Sequence, residues 1–386
     1  MGVEFFAPKK LVYGENTFLE IAPNLIKLNI QRAFILFSGS ALTYELKQAL
    51  KSMCLDANIH VSFFEMPKGE PTMALLEIAC KLFHKNNCDG VIAIGGGSAI
   101  DLAKAVASIS ENEAQDFRTL ATLQQIDRFP LIAVPTTAGT GSEATKISVL
   151  TDSIAQVKYN PGHVDLIPDV AILDPVLTVN VPKHVTAFTG IDALTHAIEA
   201  YVSTKSSEVT DFYALQAIRM IYQSIVEAYR HPTNIHARSK MLLGSYYAGL
   251  AFSNASTNLA HAMGRSIGTK WNFPHGQSVA ILHPFVVNYS ISGCKDKYDD
   301  IATILGLTDG NEVERYLLNL NQELHVWDDV KFIVEEKFLQ SIEEMTRNAM
   351  SGNGILTNHQ VPTAVDVRQI YLDLHEYMKI SIVQDI

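Results

Sequence analysis

The sequence predicts two domains in series, a doubly wound α/β domain followed by an all-helical domain. In the first half of the chain, short apolar runs alternate with amphipathic stretches, which is the pattern of a parallel sheet with helices on both faces. After about Pro182 the apolar runs give way to helical periodicity that continues to the end. A chain of 386 residues also exceeds the usual size of one domain. We therefore predict domains at 1–181 and 182–386.

The α/β domain is predicted from five strand-like runs with helices between them. The strands are continuous runs of apolar residues, which indicates burial on both faces of the sheet. They lie at 33–37, 60–64, 90–94, 130–134 and 170–175, and the helices lie at 41–50, 73–87 and 98–109. In the second domain, helical periodicity covers 184–203, 211–230 and 235–252, followed by segments around 256–268, 277–291 and 333–350.

Composition narrows the class of protein. A hydrophobic fraction of 47% is ordinary for a folded enzyme, and a net charge of -11 argues against nucleic-acid binding, which needs clustered Lys and Arg. No apolar run reaches the length of a membrane span, and the N-terminus lacks the pattern of a secretory signal. The four cysteines show no metal-ligand spacing and suit a reducing compartment. We expect a cytoplasmic enzyme with no membrane or nucleic-acid partner.

Two loops after predicted strands carry the residues of an anion site. "VIAIGGGSAIDLAKA" joins a strand to a helix through Gly95, Gly96 and Gly97, where backbone N–H groups and the helix N-terminus can bind a phosphate. A tight structural turn explains this motif equally well, because the spacing is neither G-x-G-x-x-G nor a Walker loop. A second loop, "AVPTTAGTGSEAT" at 133–145, is rich in hydroxyl and small side chains. Two such loops in neighbouring strand–loop units favour a nucleotide site over a hydroxyl-rich helix cap.

Three histidines and one aspartate form a second candidate site. Asp192 and His196 lie four residues apart in a predicted helix, so both side chains project from one face. His261 and His275 flank the segment "HAMGRSIGTKWNFPHG", whose small and glycine residues let a side chain reach a cleft. One carboxylate and three imidazoles suit a divalent cation such as Fe²⁺ or Zn²⁺. From spacing alone, a local Asp–His ion pair is an equal alternative.

Five motifs in order resemble the iron-containing (group III) alcohol dehydrogenase family. They are "GGGSAIDLAKA", "PTTAGTGSEAT", "GIDALTHAIEAYVS", "HAMGRSIG" and "PHGQSVAILHP", and the likeness extends over almost the whole chain. The resemblance implies an N-terminal dinucleotide-binding domain, a C-terminal helical domain and an active site in the cleft between them. It also implies that Asp192, His196, His261 and His275 are the metal ligands, with Fe²⁺ as the metal and Zn²⁺ as the alternative.

The resemblance assigns a nicotinamide cofactor to the two loops. The implied cofactor-binding residues are Ser38, Gly96, Gly97, Ser98, Asp101, Thr136, Thr137, Thr140, Ser142 and Lys158. Many NAD-using members carry an Asp near Ser38, where a carboxylate binds the ribose hydroxyls and repels a 2′-phosphate. Because this chain has Ser38, Gly39 and Ser40 there, NADP is slightly favoured over NAD.

Arg265 departs from the family pattern, in which a second histidine commonly follows the position of His261 by four residues. An arginine cannot relay a proton near neutral pH, but it holds a carboxylate or phosphate well. A pair with a neighbouring acidic residue or with the cofactor is at least as well supported. Without a histidine at 265, the proton is expected to travel through a metal-bound water, a ribose hydroxyl or His283. Arg265 and His283 are therefore the predicted catalytic residues.

These residues predict a metal-dependent, NAD(P)-linked oxidoreductase that interconverts a primary alcohol and an aldehyde. The alternative is a dehydrogenase of a short hydroxy acid or semialdehyde, of the 4-hydroxybutyrate type, with Arg265 holding the carboxylate. A dehydroquinate-synthase-like lyase is disfavoured by the few basic residues between Asp192 and His283, and a non-enzymatic assembly protein by the intact ligand set. The resemblance makes a homo-oligomer, such as a dimer, the expected assembly.

Overall fold

A computed structural model describes residues 2–39, 41–111, 115–155, 157–328, 330 and 335–384. The chain divides into two compact units. The N-terminal unit is Phe6–Asn180, and the helical unit comprises Val181–Ile386 together with Met1–Phe5. Ser40, which entered the prediction of cofactor choice, lies outside the described residues, as do the first two residues of the helix predicted at 333–350.

A parallel sheet forms the centre of the N-terminal unit. Its strands are β1 (Lys10–Tyr13), β2 (Arg32–Ser38), β3 (His60–Met66), β4 (Gly90–Gly95), β5 (Leu131–Pro135) and β8 (Val170–Leu173). Within the described residues they lie in the order β1-β8-β5-β4-β2-β3, and each neighbouring pair is parallel. A separate antiparallel hairpin consists of β6 (Leu150–Asp152) and β7 (Val157–Tyr159). All five predicted strands are present, whereas β1 and the hairpin were not predicted.

Helices cover both faces of this sheet. They are α1 (Ile21–Lys27), α2 (Tyr44–Asp56), α3 (Met73–Lys85) and α4 (Gly97–Glu111). Side chains of β2 alternate between two cores: Ile35 and Phe37 pack with α1 and α2, while Phe34 and Leu36 pack with α3 and α4. Each such side chain is buried, and full burial of one is worth about 1.5–3 kcal/mol. Burial on both faces explains the unbroken apolar runs, and it confirms the doubly wound α/β class for this unit.

The strand order reverses next to β2. From β2 the chain runs outward to β3 and then returns to β4 on the other side of β2. Ligands of open α/β sheets bind at such a reversal, outside the carboxyl ends of the strands. Ser38 ends β2 and Gly95 ends β4, and a Cβ added to Gly95 would lie only 2.8 Å from Ser38 Oγ. The glycine-rich turn after β4 therefore begins at the point where the fold favours ligand binding.

The helical unit consists of packed helices, as predicted. Within the described residues they are α5 (Lys183–Tyr201), α6 (Glu208–Tyr222), α7 (Ile225–Arg230), α8 (Ile235–Ala255), α9 (Leu259–Trp271), α10 (His275–Ser290), α11 (Lys295–Leu305), α12 (Val313–Glu323), α13 (Glu335–Met350) and α14 (Ala364–Gln384). The single helix predicted at 211–230 is two helices, because the backbone of Ser224 leaves the helical region with φ -130°. Serine favours helix ends over helix interiors, which explains the break.

Helix α5 lies at the centre of this unit. It contacts α6, α8 and α10, and every residue from Gly190 to Tyr201 is buried. A helix that is buried on all faces has no solvent for its polar side chains, so each of them needs a partner inside the protein. Among the described residues, no helix is long and apolar enough to cross a membrane.

Candidate metal centre and cofactor loops

Asp192 and His196 both project from the buried helix α5. They are one turn apart, and their side chains lie on one face, with Asp192 Oδ2 at 3.9 Å from His196 Nδ1. Only 2% of Asp192 and 6% of His196 is exposed. A carboxylate this deeply buried is costly unless a cation or several donors neutralise it. The Asp192 carboxylate therefore requires a partner from other helices, either a cation or hydrogen-bond donors.

Helices α9 and α10 supply that partner through close packing. A Cβ on Gly264 would lie 2.8 Å from Val279 Cγ2, so the glycine lets α9 approach α10 closely. A Cβ on Gly276 would clash with the backbone carbonyl of Phe188, so the Pro-His-Gly corner packs directly on α5. His275, the first residue of α10, is held beside Asp192 by this contact.

Three side chains direct ligand atoms at one point in the helical unit. Asp192 Oδ1 lies 3.4 Å from His261 Nε2 and 3.8 Å from His275 Nε2. Within the described residues, Asp192, His261 and His275 each offer an atom within 4.8 Å of the others. Asp192 and His261 are buried, whereas the side chain of His275 is 46% exposed. One edge of the cluster is therefore accessible to solvent.

His196, the fourth predicted ligand, lies beside this group rather than within it. Its ring is sandwiched between His261, at 4.2 Å between centroids, and Phe252, at 4.1 Å. The stacking places its Nδ1 on the opposite oxygen of Asp192 from the one that faces the other two histidines. The structure thus brings three of the four predicted ligands together and leaves His196 adjacent.

Unpartnered polar atoms show that this cluster fits a cation. Asp192 Oδ1, His196 Nδ1 and His261 Nε2 are buried and have no hydrogen-bond partner among the described residues. A cation held at about 2.0–2.2 Å in a tetrahedral site separates its ligand atoms by about 3.3–3.6 Å. The 3.4 Å and 3.8 Å separations are close to that spacing. Imidazole nitrogens with one carboxylate are donors suited to Fe²⁺ or Zn²⁺.

The charges of these groups are strongly perturbed. Burial would raise the pKa of Asp192, but the neighbouring imidazoles, first His196, hold that pKa well below its usual range. Burial lowers the pKa of His196 to about 3, so this ring is neutral and keeps a free lone pair. Burial would also lower the pKa of His261, but Glu199 and Asp192 together raise it to about 9. The site contains an ionised carboxylate at every pH of interest.

Glu199 is a buried carboxylate behind His261. Its Oε2 lies 2.6 Å from His261 Nδ1 and accepts from Asn258 N at 2.8 Å, while its Oε1 accepts from Ala260 N at 2.6 Å. Burial would raise the pKa of Glu199, but His261 lowers it below its usual value. The carboxylate is therefore ionised and fully engaged.

Arg265 follows His261 by one turn of α9. Its Nε donates to the His261 carbonyl oxygen at 3.3 Å. In the part of the chain that the structure describes, no carboxylate forms an ion pair with Arg265, and both oxygens of nearby Glu199 accept from other donors. The predicted alternative of a pair with an acidic neighbour is therefore absent among these residues. The side chain is half-buried, and burial lowers its pKa, although a guanidinium stays charged near neutral pH.

His283, the other predicted catalytic residue, lies deep in the helical unit. Only 1% of it is exposed, and its Nδ1 lies 3.0 Å from Thr195 Oγ1. Because the Thr195 hydroxyl donates to the Ile191 carbonyl, it accepts from His283, which places the imidazole proton on Nδ1. Nε2 then carries a lone pair that has no hydrogen-bond partner within the described residues. Burial lowers the pKa of His283 to about 4, so the ring is neutral.

In the N-terminal unit, the two predicted loops lie against each other. A Cβ on Gly97 would come within 2.7 Å of Thr140 Cγ2, and one on Gly96 within 3.2 Å of Thr137 Oγ1. Gly97 begins the helix α4, and Ser98 follows it in the first turn. Thr136 follows β5, and its backbone N–H donates to the Gly95 carbonyl at 3.0 Å. The glycines, the hydroxyls and a helix N-terminus are thus assembled in one place, as an anion site requires.

Asp101 and Ser142 connect the two loops. Ser142 Oγ donates to Asp101 Oδ1, and Asp101 Oδ2 accepts from Val149 N at 3.1 Å. Burial raises the pKa of Asp101. Both side chains therefore connect the two loops, and their contact with a cofactor stays a prediction.

The remaining predicted cofactor residues, Ser38 and Lys158, occupy different positions. Ser38 lies at the end of β2 beside Gly95. Lys158 is on the hairpin strand β7, where its Nζ pairs with Glu70 Oε1 at 2.5 Å. Its side chain is 41% exposed, so this pair is easily exchanged for another anion.

Comparisons with known proteins agree with this geometry. The model of iron-containing alcohol dehydrogenases matches residues 8–175, and the C-terminal model of the same family matches residues 186–375. The chain belongs to the iron-containing alcohol dehydrogenase family. This confirms the predicted family, and with the two units described above it confirms the predicted fold class.

Several relatives share this family's enzyme class. A probable alcohol dehydrogenase, EutG, of Escherichia coli strain K12 is 43% identical over 248 residues, which are 64% of this chain and 63% of that protein. An NAD-dependent methanol dehydrogenase of Bacillus methanolicus is 30% identical over 95% of this chain and 98% of its own. A solved 1,3-propanediol oxidoreductase is 27% identical, with a TM-score of 0.90 over 97% of this chain and 100% of that one. The predicted class, an alcohol dehydrogenase, is confirmed.

Membership of the iron-containing alcohol dehydrogenase family supports iron as the type of metal and NAD as a cofactor. Zinc, NADP and the cytoplasmic location remain predictions. The lyase and the non-enzymatic assembly protein, the two rival functions, gain no support from these relatives.

Sequence reasoning missed three buried charged residues. Glu199 lies three residues after His196 in the same motif, and that helical spacing was the available signal. Lys104 Nζ donates to Thr145 O at 2.8 Å, to Thr145 Oγ1 at 3.0 Å and to Ile147 O at 2.6 Å, which holds the second loop on α4. Glu143 is also buried, and nothing in its local sequence indicated this.

Proposed function

We propose that this chain reversibly oxidises a primary alcohol to an aldehyde, with a nicotinamide cofactor as hydride acceptor and a divalent metal at the helical site. The observation that carries the proposal is the convergence of Asp192, His261 and His275, in which the buried Asp192 Oδ1 and His261 Nε2 have no hydrogen-bond partner among the described residues. His196 would be the fourth ligand, since it stacks on His261 and its buried Nδ1 has no hydrogen-bond partner among the described residues. A bound divalent metal supplies Lewis acidity toward the substrate oxygen.

In this proposal the residues of the chain have separate tasks. The glycines and threonines after β4 and β5 bind the phosphates of the cofactor, and Ser38 faces its ribose. Oxidation of the alcohol removes a hydride and a proton: a bound nicotinamide would supply the hydride acceptor, and the proton must leave through a group of the protein or solvent. Of the two predicted catalytic residues only His283 can accept a proton, on Nε2, because the Arg265 guanidinium already carries all of its protons.

Cofactor choice and substrate class are tested together by one panel. Metal-reconstituted protein is mixed with NADH or NADPH and with aldehydes of increasing length, and the oxidation of the reduced cofactor is followed by absorbance. The proposal expects turnover with at least one simple aldehyde. The missing carboxylate at Ser38 further predicts that NADPH is accepted at least as well as NADH. No turnover with any aldehyde and either cofactor would refute the proposed reaction.

A second candidate is an aldehyde that carries its own anion, such as succinic semialdehyde. The specific observation is Arg265, a half-buried cation one turn from His261 with no carboxylate partner among the described residues. An anion at a guanidinium gains charge-assisted hydrogen bonds worth about 1.5–3 kcal/mol. Such a gain corresponds to roughly tenfold to a hundredfold in kcat/KM.

The variant Arg265→Ala separates the two substrate classes. For succinic semialdehyde, kcat/KM is expected to fall roughly tenfold to a hundredfold, and for butanal, a neutral aldehyde of equal length, by less than threefold. Arg265→Lys keeps the charge and should lose less. Lys270→Ala, on the same helix but exposed and paired with Glu344, is the matched control and should change neither substrate. Equal losses for both aldehydes in Arg265→Ala would refute the anionic substrate.

A further inference from the structure

Glu199 joins the helix that carries two predicted ligands to the helix that carries a third. It lies on α5, seven residues after Asp192, so two helical turns place both on the same side of the helix. Its carboxylate accepts three N–H groups, and all three belong to the start of α9: Asn258 N, Ala260 N and His261 Nδ1. In return, Asn258 Nδ2 donates to the Glu199 carbonyl oxygen at 3.0 Å. These contacts span about 60 residues of sequence and meet at one carboxylate.

The contact with His261 determines which ring nitrogen is available to a metal. An ionised carboxylate can only accept, so Nδ1 of His261 must carry the proton. An imidazole that binds a metal is neutral and has one N–H, so a proton on Nδ1 leaves the lone pair of the ligating ring on Nε2. That nitrogen is 3.4 Å from Asp192 Oδ1, and in the part of the chain that the structure describes it has no hydrogen-bond partner. Glu199 thus selects the tautomer whose free nitrogen faces the other ligand atoms.

The contacts with the backbone fix the position of α9. The first N–H groups of a helix have no partner within the helix, and Asn258 makes no side-chain cap of its own. Glu199 satisfies two of these groups from a neighbouring helix, and its negative charge is favourable at a helix N-terminus. The start of α9 is therefore anchored to α5 two residues before His261. A ring held in orientation and a helix held in position give the ligand little freedom.

We propose that Glu199 is a positioning residue of the metal site, which orients His261 and anchors its helix without binding the metal itself. Its two oxygens already accept three hydrogen bonds, so it is not one of the ligands. Removing a carboxylate that holds a metal-binding histidine in this way typically weakens metal binding by roughly tenfold to a hundredfold. This inference rests on the proposed metal-dependent function.

The test compares Glu199→Gln with the wild-type protein in metal binding. Glutamine keeps the volume but offers only one oxygen, so it cannot accept all three N–H groups. The dissociation constant for Zn²⁺ alone is measured by competition with a chromophoric chelator, and it should rise roughly tenfold to a hundredfold. Glu143→Gln is the matched control, because Glu143 is equally buried, at 1% exposed against 2%, and lies in the N-terminal unit. Its Zn²⁺ affinity should equal that of the wild type.

A second measurement uses the wild-type protein, so it does not require the Glu199→Gln variant to fold. In wild-type protein labelled with ¹⁵N-histidine and loaded with Zn²⁺, the proton of His261 should reside on Nδ1 and resonate far downfield. The signal is assigned by its absence in His261→Gln. A proton on Nε2, or a Zn²⁺ affinity of Glu199→Gln equal to wild type, would overturn the role of Glu199. A wild-type protein that binds no Zn²⁺ or Fe²⁺ would instead refute the proposed function on which the role rests.

Discussion

Glu143 offers a quantitative test of the electrostatics of the N-terminal unit. Only 1% of it is exposed, and none of the described residues forms a hydrogen bond with its Oε1. Burial raises its pKa from 4.5 to about 7, although Lys104 opposes the shift. The folded state therefore holds a proton on Glu143 more tightly than the unfolded state does. The stability that this provides is present below pH 4.5 and is lost as the pH rises through 7.

The substitution Glu143→Gln removes this dependence on pH, because glutamine does not titrate. For a pKa that moves from 4.5 to about 7, the wild type loses on the order of 2–3 kcal/mol of unfolding free energy between pH 5 and pH 8 through this one group. The difference in stability between Glu143→Gln and wild type should therefore grow in favour of the variant by roughly that amount over the interval.

Urea denaturation at pH 5 and pH 8 measures this difference. Far-ultraviolet circular dichroism follows the whole chain, and tryptophan fluorescence reports the helical unit alone, because Trp271 and Trp327 are the two tryptophans of the sequence. Glu77→Gln, at an exposed position of the same unit, is the control and should parallel the wild type. A stability difference between Glu143→Gln and wild type that is the same at both pH values would refute the reasoning.

Two glycine substitutions test the close packing at each site. Gly97→Ala places a methyl group within 2.7 Å of Thr140. The variant should raise the KM for the cofactor roughly tenfold and leave the metal content unchanged. An unchanged KM would contradict a cofactor at this turn. Gly276→Ala pushes the first turn of α10 away from Phe188. Chelator competition should show that Zn²⁺ binds to this variant roughly tenfold more weakly, or worse. Gly162→Ala, whose added Cβ has its nearest neighbour at 3.7 Å, should leave both quantities unchanged.

Local patterns in the sequence predicted most of the secondary structure. The four interior strands β2, β4, β5 and β8 were recognisable because both of their faces are covered, which leaves unbroken apolar runs, whereas the predicted edge strand β3 is only partly buried. The edge strand β1 was not predicted, because it has only four residues, and these alternate between half-buried and exposed instead of forming a buried apolar run. The hairpin strands are three residues each, too short for any periodicity. The break at Ser224 comes from a single backbone torsion. The helical periodicity of apolar residues continues across it, so the sequence pattern did not show the break.

The candidate site was predictable where its residues share a helix or a motif. Asp192 and His196 are one turn apart, and His261 and His275 stand at either end of one short segment. Roles that depend on distant partners were not predictable. Glu199 acquires its role from N–H groups about 60 residues further along the chain. For Arg265 the informative fact is that no carboxylate of the described residues forms an ion pair with it, and only a three-dimensional structure can show that the neighbouring Glu199 carboxylate already accepts from other donors.

The central claim is that catalysis depends on a metal held by Asp192, His196, His261 and His275. The most direct measurement is the rate of NADH or NADPH oxidation with an active aldehyde as a function of Fe²⁺ bound per chain, in protein first stripped with a chelator. Stripping should abolish the rate, and the rate should then rise in proportion to bound Fe²⁺ up to one ion per chain. The variant His261→Ala should neither retain the ion nor recover activity. A stripped protein that reduces the aldehyde at the full rate would contradict the claim.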